Sequence, residues 1–105
     1  MKLYYSPGAC SLSPHIALRE AGLEFDLAKK DLHSQTLADG SDFRAINPKG
    51  YVPALALDNG EILTEGPAIL QYIADRAPDK KLAPPAGSME RVRLQEWLNY
   101  ITSEL

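Results

Sequence analysis

The sequence predicts an α/β domain built on a four-stranded mixed sheet, followed by one helix of a second, all-helical unit. Two observations carry this. Residues 2–30 read strand, helix, strand, with Pro7-Gly8 after the first strand and Gly22 after the helix. Residues 53–77 read strand, tight turn, strand, helix, around Asp58-Asn59-Gly60. A βαβ crossover sets its strands parallel, whereas a short hairpin sets them antiparallel.

Each element follows from local chemistry. Lys2 to Tyr5 is a short apolar and aromatic run, read as a buried strand that ends at Ser6-Pro7-Gly8. Ser11 or Ser13 can cap the next helix, Pro14 suits its first turn, and Gly22 stops it after Ala21. Phe25 to Lys30 reads as the second strand. Residues 31–50 are polar and broken by Gly40, Pro48 and Gly50, so a loop with at most a short helix over Asp42 to Ile46 is expected. Pro53 to Leu57 and Glu61 to Thr64 flank Asn59-Gly60, the strongest short-range hairpin signal. After Gly66-Pro67, the residues Ile69, Tyr72, Ile73 and Ala77 recur on one helical face until Pro78. The order is βαβ then ββα, a thioredoxin-like arrangement expected to carry helices on both faces of its sheet. It occupies residues 1–80. Residues 81–87, with Ala83-Pro84-Pro85-Ala86-Gly87, have linker composition. Ser88 can cap a last helix, with Leu94, Trp97, Leu98, Ile101 and Leu105 along one stripe. That stripe has no evident partner in the chain, and the pattern stops without a cap. Residues 88–105 are therefore expected to open an all-helical domain that is cut short.

Composition narrows the function. With 45% hydrophobic and 24% charged residues, the 105-residue chain has ordinary globular character. Its 11 Lys and Arg against 14 Asp and Glu give a net charge of −3, with no basic cluster, which argues against nucleic acid and anionic lipid. No apolar run approaches the roughly 18 residues of a membrane helix, and the start is too short in apolar residues for a secretory signal. A cytoplasmic setting is expected. One cysteine and two histidines exclude an internal disulfide and leave no convincing metal cluster.

Cys10 falls just after a strand and just before a helix. A helix N-terminus offers free N–H groups and the positive end of the dipole, and both favour thiolate, the nucleophilic form. Cys10-Ser11-Leu12-Ser13 lacks a second cysteine, so dithiol chemistry is excluded and monothiol chemistry remains. The alternative is that Cys10 is a buried small hydrophobe. Val52-Pro53 stands at a strand entrance, where a cis bond could turn the Val52 backbone toward a peptide ligand; an ordinary trans proline is the alternative. Glu65-Gly66 opens a helix. Gly66 permits close backbone approach to a ligand carboxylate, and Glu65 can accept from a ligand ammonium, or simply be a solvated residue beside a helix cap. His15, one turn past Cys10, is read as a partly exposed structural residue, with stabilisation of a thiolate as the alternative, and His33 as a loop residue without a partner. Tyr5 and Ser11 are further candidate donors to a sulfur.

These motifs resemble those of a known family. Met1 through His15, Ile46-Asn47-Pro48-Lys49-Gly50-Tyr51-Val52-Pro53, Leu63 through Ile69 and Glu96-Trp97-Leu98-Asn99 together resemble bacterial beta-class glutathione transferases along the whole chain. The resemblance implies that Cys10 contacts the glutathione sulfur and can form a mixed disulfide. It implies that Val52 precedes a cis-proline and pairs with the cysteinyl unit. Glu65 and Gly66 would hold the γ-glutamyl end, Gln35 would lie near the glycyl carboxylate, and Asn99 would reach ligand across a homodimer. Gly66 replaces the usual serine and Gln35 a frequent lysine, so weaker glutathione binding is expected. The implied activity is conjugation of glutathione to small electrophiles, or thiol–disulfide exchange through Cys10, without a metal. A glutaredoxin-like monothiol reductase and a non-catalytic, transferase-like dimerisation module are the alternatives.

Overall fold

The first strand sets the layers. In the computed structural model, which describes residues 1–104, Lys2–Tyr5 forms β1 with side chains alternating across the sheet. Leu3 enters one core with Leu18, Leu55, Ile69 and Ile73, while Tyr4 enters another with Leu37, Phe43 and Ala54. The first core is helical on its far side. Leu12–Ala21 (α1) and Gly66–Arg76 (α2) both pack there. Helix α1 ends as its sequence demands: Gly22 adopts φ 70°, and its N–H reaches the Arg19 carbonyl at 3.1 Å.

The opposite face corrects the sequence expectation of helices on both sides. Among the described residues, no α-helix covers it. The polar 31–46 segment does so, with buried Leu37 and one 3-10 turn over Phe43–Ala45. Asp42 caps that turn by accepting from the Arg44 N–H at 2.9 Å. A short cover suffices because a single large ring, Phe43, fills the space beneath Tyr4 at 5.7 Å between centroids.

The sheet order is β2-β1-β3-β4, with Asp26–Lys29 as β2, Ala54–Ala56 as β3 and Ile62–Thr64 as β4. β2 pairs parallel to β1, and β3 pairs antiparallel to both β1 and β4. This is the expected mixed thioredoxin-like sheet. The hairpin differs in detail. The Leu57 N–H donates to the Glu61 carbonyl at 2.8 Å, leaving Asp58–Asn59–Gly60 as a three-residue loop with Gly60 at φ 92°. Asn-Gly marks the turn, but only the glycine takes the left-handed angle.

Met89–Glu104 forms the last helix, α3. Ser88 caps it, accepting from the Arg91 N–H at 3.2 Å while donating to the Pro85 carbonyl at 2.6 Å. The guanidinium of Arg91 is buried against α2 and the preceding segment. Its Nε donates to the Pro84 carbonyl at 2.8 Å and its terminal nitrogens to the Asp75 carboxylate. The apolar stripe on α3 proves to be split. Leu94 and Leu98 are half-buried and line a groove of about 300 Å³ with Ile16, Ala17 and Leu70. Trp97 and Ile101 remain exposed, with Trp97 at 65%. Leu105, which would extend the stripe, lies outside the described residues.

Candidate functional site

The sheet topology gathers the candidate residues. Where β1 and the parallel β2 end, β3 begins and β4 ends. The loop after β1 therefore meets the loop before β3 and the entrance to α2. Continuing the β3–β4 register sets Val52 level with Gly66.

Cys10 is exposed, which removes its reading as a buried hydrophobe. Its loop is braced from behind. The Ser11 hydroxyl accepts from the Ser6 N–H at 3.1 Å and donates to the Ser6 carbonyl at 3.2 Å. The Ser6 hydroxyl in turn donates to the Lys30 carbonyl at 2.7 Å, tying the loop to the end of β2. Ser11 was a candidate donor to a ligand sulfur. Buried and committed to Ser6, it positions the loop instead. The Tyr5 and His15 rings meet at a tilt with 6.1 Å between centroids, and His15 meets Phe25 edge-on at 5.7 Å, so its ring packs between two aromatic side chains.

Cys10, Val52 and Gln35 line one cavity of about 340 Å³. The Val52–Pro53 peptide bond is cis. Asn47 shapes the loop leading to it, donating to the Tyr51 carbonyl at 2.8 Å and accepting from the Lys49 N–H at 3.2 Å. Gly50, buried at φ 78°, lets the Gln35 amide lie against the backbone, because a Cβ there would come within 2.9 Å of that amide. The Gln35 Oε1 is buried without a hydrogen-bond partner.

Glu65 and Gly66 open α2 at the same end of the sheet. Glu65 is exposed at the helix cap, its side chain 69% accessible, and it also carries an ion pair. Its carboxylate accepts from Lys49 Nζ, which also donates to Thr64 Oγ1 at 3.0 Å. Its backbone stands at φ 72°, ψ 119°, a conformation L side chains rarely adopt. Asn99 is not brought to this cavity. It is exposed on α3, where its amide donates to the Gln95 carbonyl at 2.8 Å.

Three neighbours escaped sequence reasoning. Lys30 and His33 also line the cavity, and Lys49 occupies Glu65. His33 had no evident partner in the sequence, yet its N–H and the Ser34 hydroxyl hold the Asp31 carboxylate below its ordinary pKa. The Asp31-Leu32-His33-Ser34 string was the available signal, since an aspartate that accepts two residues on marks a turn. Among the described residues, no three of His, Cys, Asp and Glu form a group that could hold a metal ion.

An exposed thiol at a helix entrance, a cis-proline at the start of β3 and an acidic residue at the α2 cap stand at one end of a thioredoxin-like sheet. The chain belongs to the glutathione S-transferase family: the model of that family's N-terminal domain matches residues 8–76. Glutathione S-transferase GstA of Escherichia coli O157:H7 is 56% identical over 105 residues, covering 100% of this chain and 52% of that protein. The structure of a beta-class glutathione S-transferase from Sphingomonas chungbukensis aligns with a TM-score of 0.97 at 59% identity, over 99% of this chain and 52% of that one. A sphingomonad glutathione S-transferase complexed with glutathione aligns at 0.95 and 57% identity, over 99% and 52%. The beta-class resemblance is borne out. The chain spans about half the length of the curated relatives it matches.

Proposed function

We propose that this chain is the glutathione-binding part of a glutathione transferase that presents the tripeptide's thiol to a small electrophile or disulfide. The observation that carries this is the shared cavity of Cys10, Val52 and Gln35. The peptide lies along the Val52 backbone as an added strand, with its sulfur at Cys10. Its α-amino group goes to Glu65 and its neighbouring carboxylate to the Gly66 N–H at the α2 entrance. The relative solved with glutathione supports this ligand.

Exposure of Cys10 favours thiol–disulfide exchange beside conjugation. In that step the Cys10 thiolate attacks oxidised glutathione. One sulfur–sulfur bond breaks, a mixed disulfide forms, and one glutathione thiolate leaves. Residues 1–80 form the peptide-binding domain, 81–87 the linker, and 88 onward the start of a helical domain. The exposed side of α3 supports a homodimer in which Asn99 reaches the partner's ligand. No helix of the described residues is long and apolar enough to cross a membrane, and with a lone cysteine this supports a cytoplasmic setting.

The test is titration of the full-length protein with glutathione, paired with intact mass after exposure to oxidised glutathione. Binding and a single glutathione adduct are expected. Cys10→Ala should lose the adduct and keep most of the affinity. Adduct formation persisting in that variant would remove Cys10 from the chemistry.

A further inference from the structure

Lys30 follows β2, and its side chain is turned inward, leaving the residue 6% exposed. Its ammonium lies over the Phe43 ring, with Nζ 5.9 Å from the centroid. An ammonium carries three donors. This one makes a single hydrogen bond, to the Asp31 carbonyl at 3.2 Å. No ion pair among the described residues includes Lys30. The nearest acid in sequence, Asp31, has its carboxylate turned to the His33 N–H and the Ser34 hydroxyl. A cation withdrawn from water with one hydrogen bond is costly unless an anion joins it.

The cavity that Lys30 lines is the one containing Cys10, Val52 and Gln35. Two residues of its lining carry buried groups with unused capacity: the Lys30 ammonium, and the Gln35 Oε1, an acceptor with no donor. A carboxylate with a peptide N–H one carbon away complements both. That is the terminal residue of a peptide. We infer that Lys30 is the cation that receives the ligand's C-terminal carboxylate, while the Gln35 amide oxygen accepts the adjacent peptide N–H. The inference rests on the proposed glutathione reading and assigns the glycyl end of that ligand. It also revises the expectation drawn from Gln35, since the charge absent there is supplied from Lys30.

The experiment compares glutathione with its glycyl ethyl ester, which keeps the thiol and the γ-glutamyl end but loses the terminal charge. Both are titrated, under reducing conditions, into the full-length protein, Lys30→Met and Lys30→Arg. The wild type should bind glutathione about tenfold or more tighter than the ester, the range of a charge-assisted hydrogen bond. Lys30→Met should bind both ligands at the ester's affinity, and Lys30→Arg should retain the difference. An apolar side chain in place of a buried, unpaired charge is compatible with folding. The comparison within the wild type needs no variant at all. Equal affinity of the wild type for the two ligands would overturn the role of Lys30 and leave the glutathione reading standing. So would undiminished discrimination in folded Lys30→Met. A wild type that binds neither ligand would sink the glutathione reading, and this inference with it.

Discussion

Gly66 and Glu65 are adjacent but place opposite demands on the backbone. A Cβ at Gly66 would meet nothing within 4 Å, so a serine fits there without displacement. Gly66→Ser should stabilise the chain by about 0.5–1 kcal/mol, because glycine in a helix loses more entropy on folding. It should also tighten glutathione binding severalfold by adding a hydroxyl donor, read by titration. Unchanged affinity would mean the γ-glutamyl end lies elsewhere. Glu65 is the reverse case, a side-chain-bearing residue at φ 72°. Glu65→Ala and Glu65→Gly both lose the Lys49 pair, but only glycine relieves the backbone. The glycine variant should be the more stable of the two by about 1 kcal/mol in denaturant unfolding, while both bind glutathione weakly. Equal stabilities would show that the angle is unstrained. At this scale the sequence exposed what type and position can show, a thiol before a helix and an acid at a cap. Lys30 and Lys49 stayed hidden because their roles come from folding: which way a lysine points is decided by Phe43 beneath it and Glu65 beside it.

The boundaries of β1 and α1 were legible because their signals are local: an apolar run closed by Pro-Gly, and a glycine stop. The cover over the Tyr4 face was not. It depends on one phenylalanine within a polar segment, and no period announces it. The docking of α3 is similarly concealed, since nothing in the sequence marks Arg91, which is buried against Pro84 and Asp75. The hydrogen bonds from Arg91 hold the Asp75 carboxyl below its ordinary value. Such a group stabilises the folded form above its unfolded value, near pH 4, and that contribution is lost as pH falls through the lower, folded value. The emission of Trp97, the chain's one tryptophan, should therefore shift on acidification before global unfolding. Asp75→Asn should show the shifted emission already at neutral pH and remove the acid step. Because the Asp75 side chain is about half exposed, the effect should be modest. An identical acid step in the variant would assign it to other carboxylates.

Taken whole, the molecule leaves much apolar surface uncovered. Val92, Trp97, Tyr100 and Ile101 are exposed on α3, and Leu70, Leu94 and Leu98 line an open groove. Contiguous apolar surface of this kind drives association. The 105-residue chain alone should self-associate in sedimentation runs of rising concentration, and Trp97→Asp should shift it toward monomer. A chain that stays monomeric throughout would remove the support that α3 gives to a dimer. The sheet has a second end, and it bears on engineering. The Asp58–Gly60 loop closes the hairpin away from the Val52 and Gly66 end; Asp58 accepts from the Met1 ammonium at 2.7 Å, and Asn59 and Gly60 are exposed at the tip. A reporter peptide spliced in after Asn59 would thus be carried at the pole remote from the thiol, giving a labelled protein whose chemistry is undisturbed.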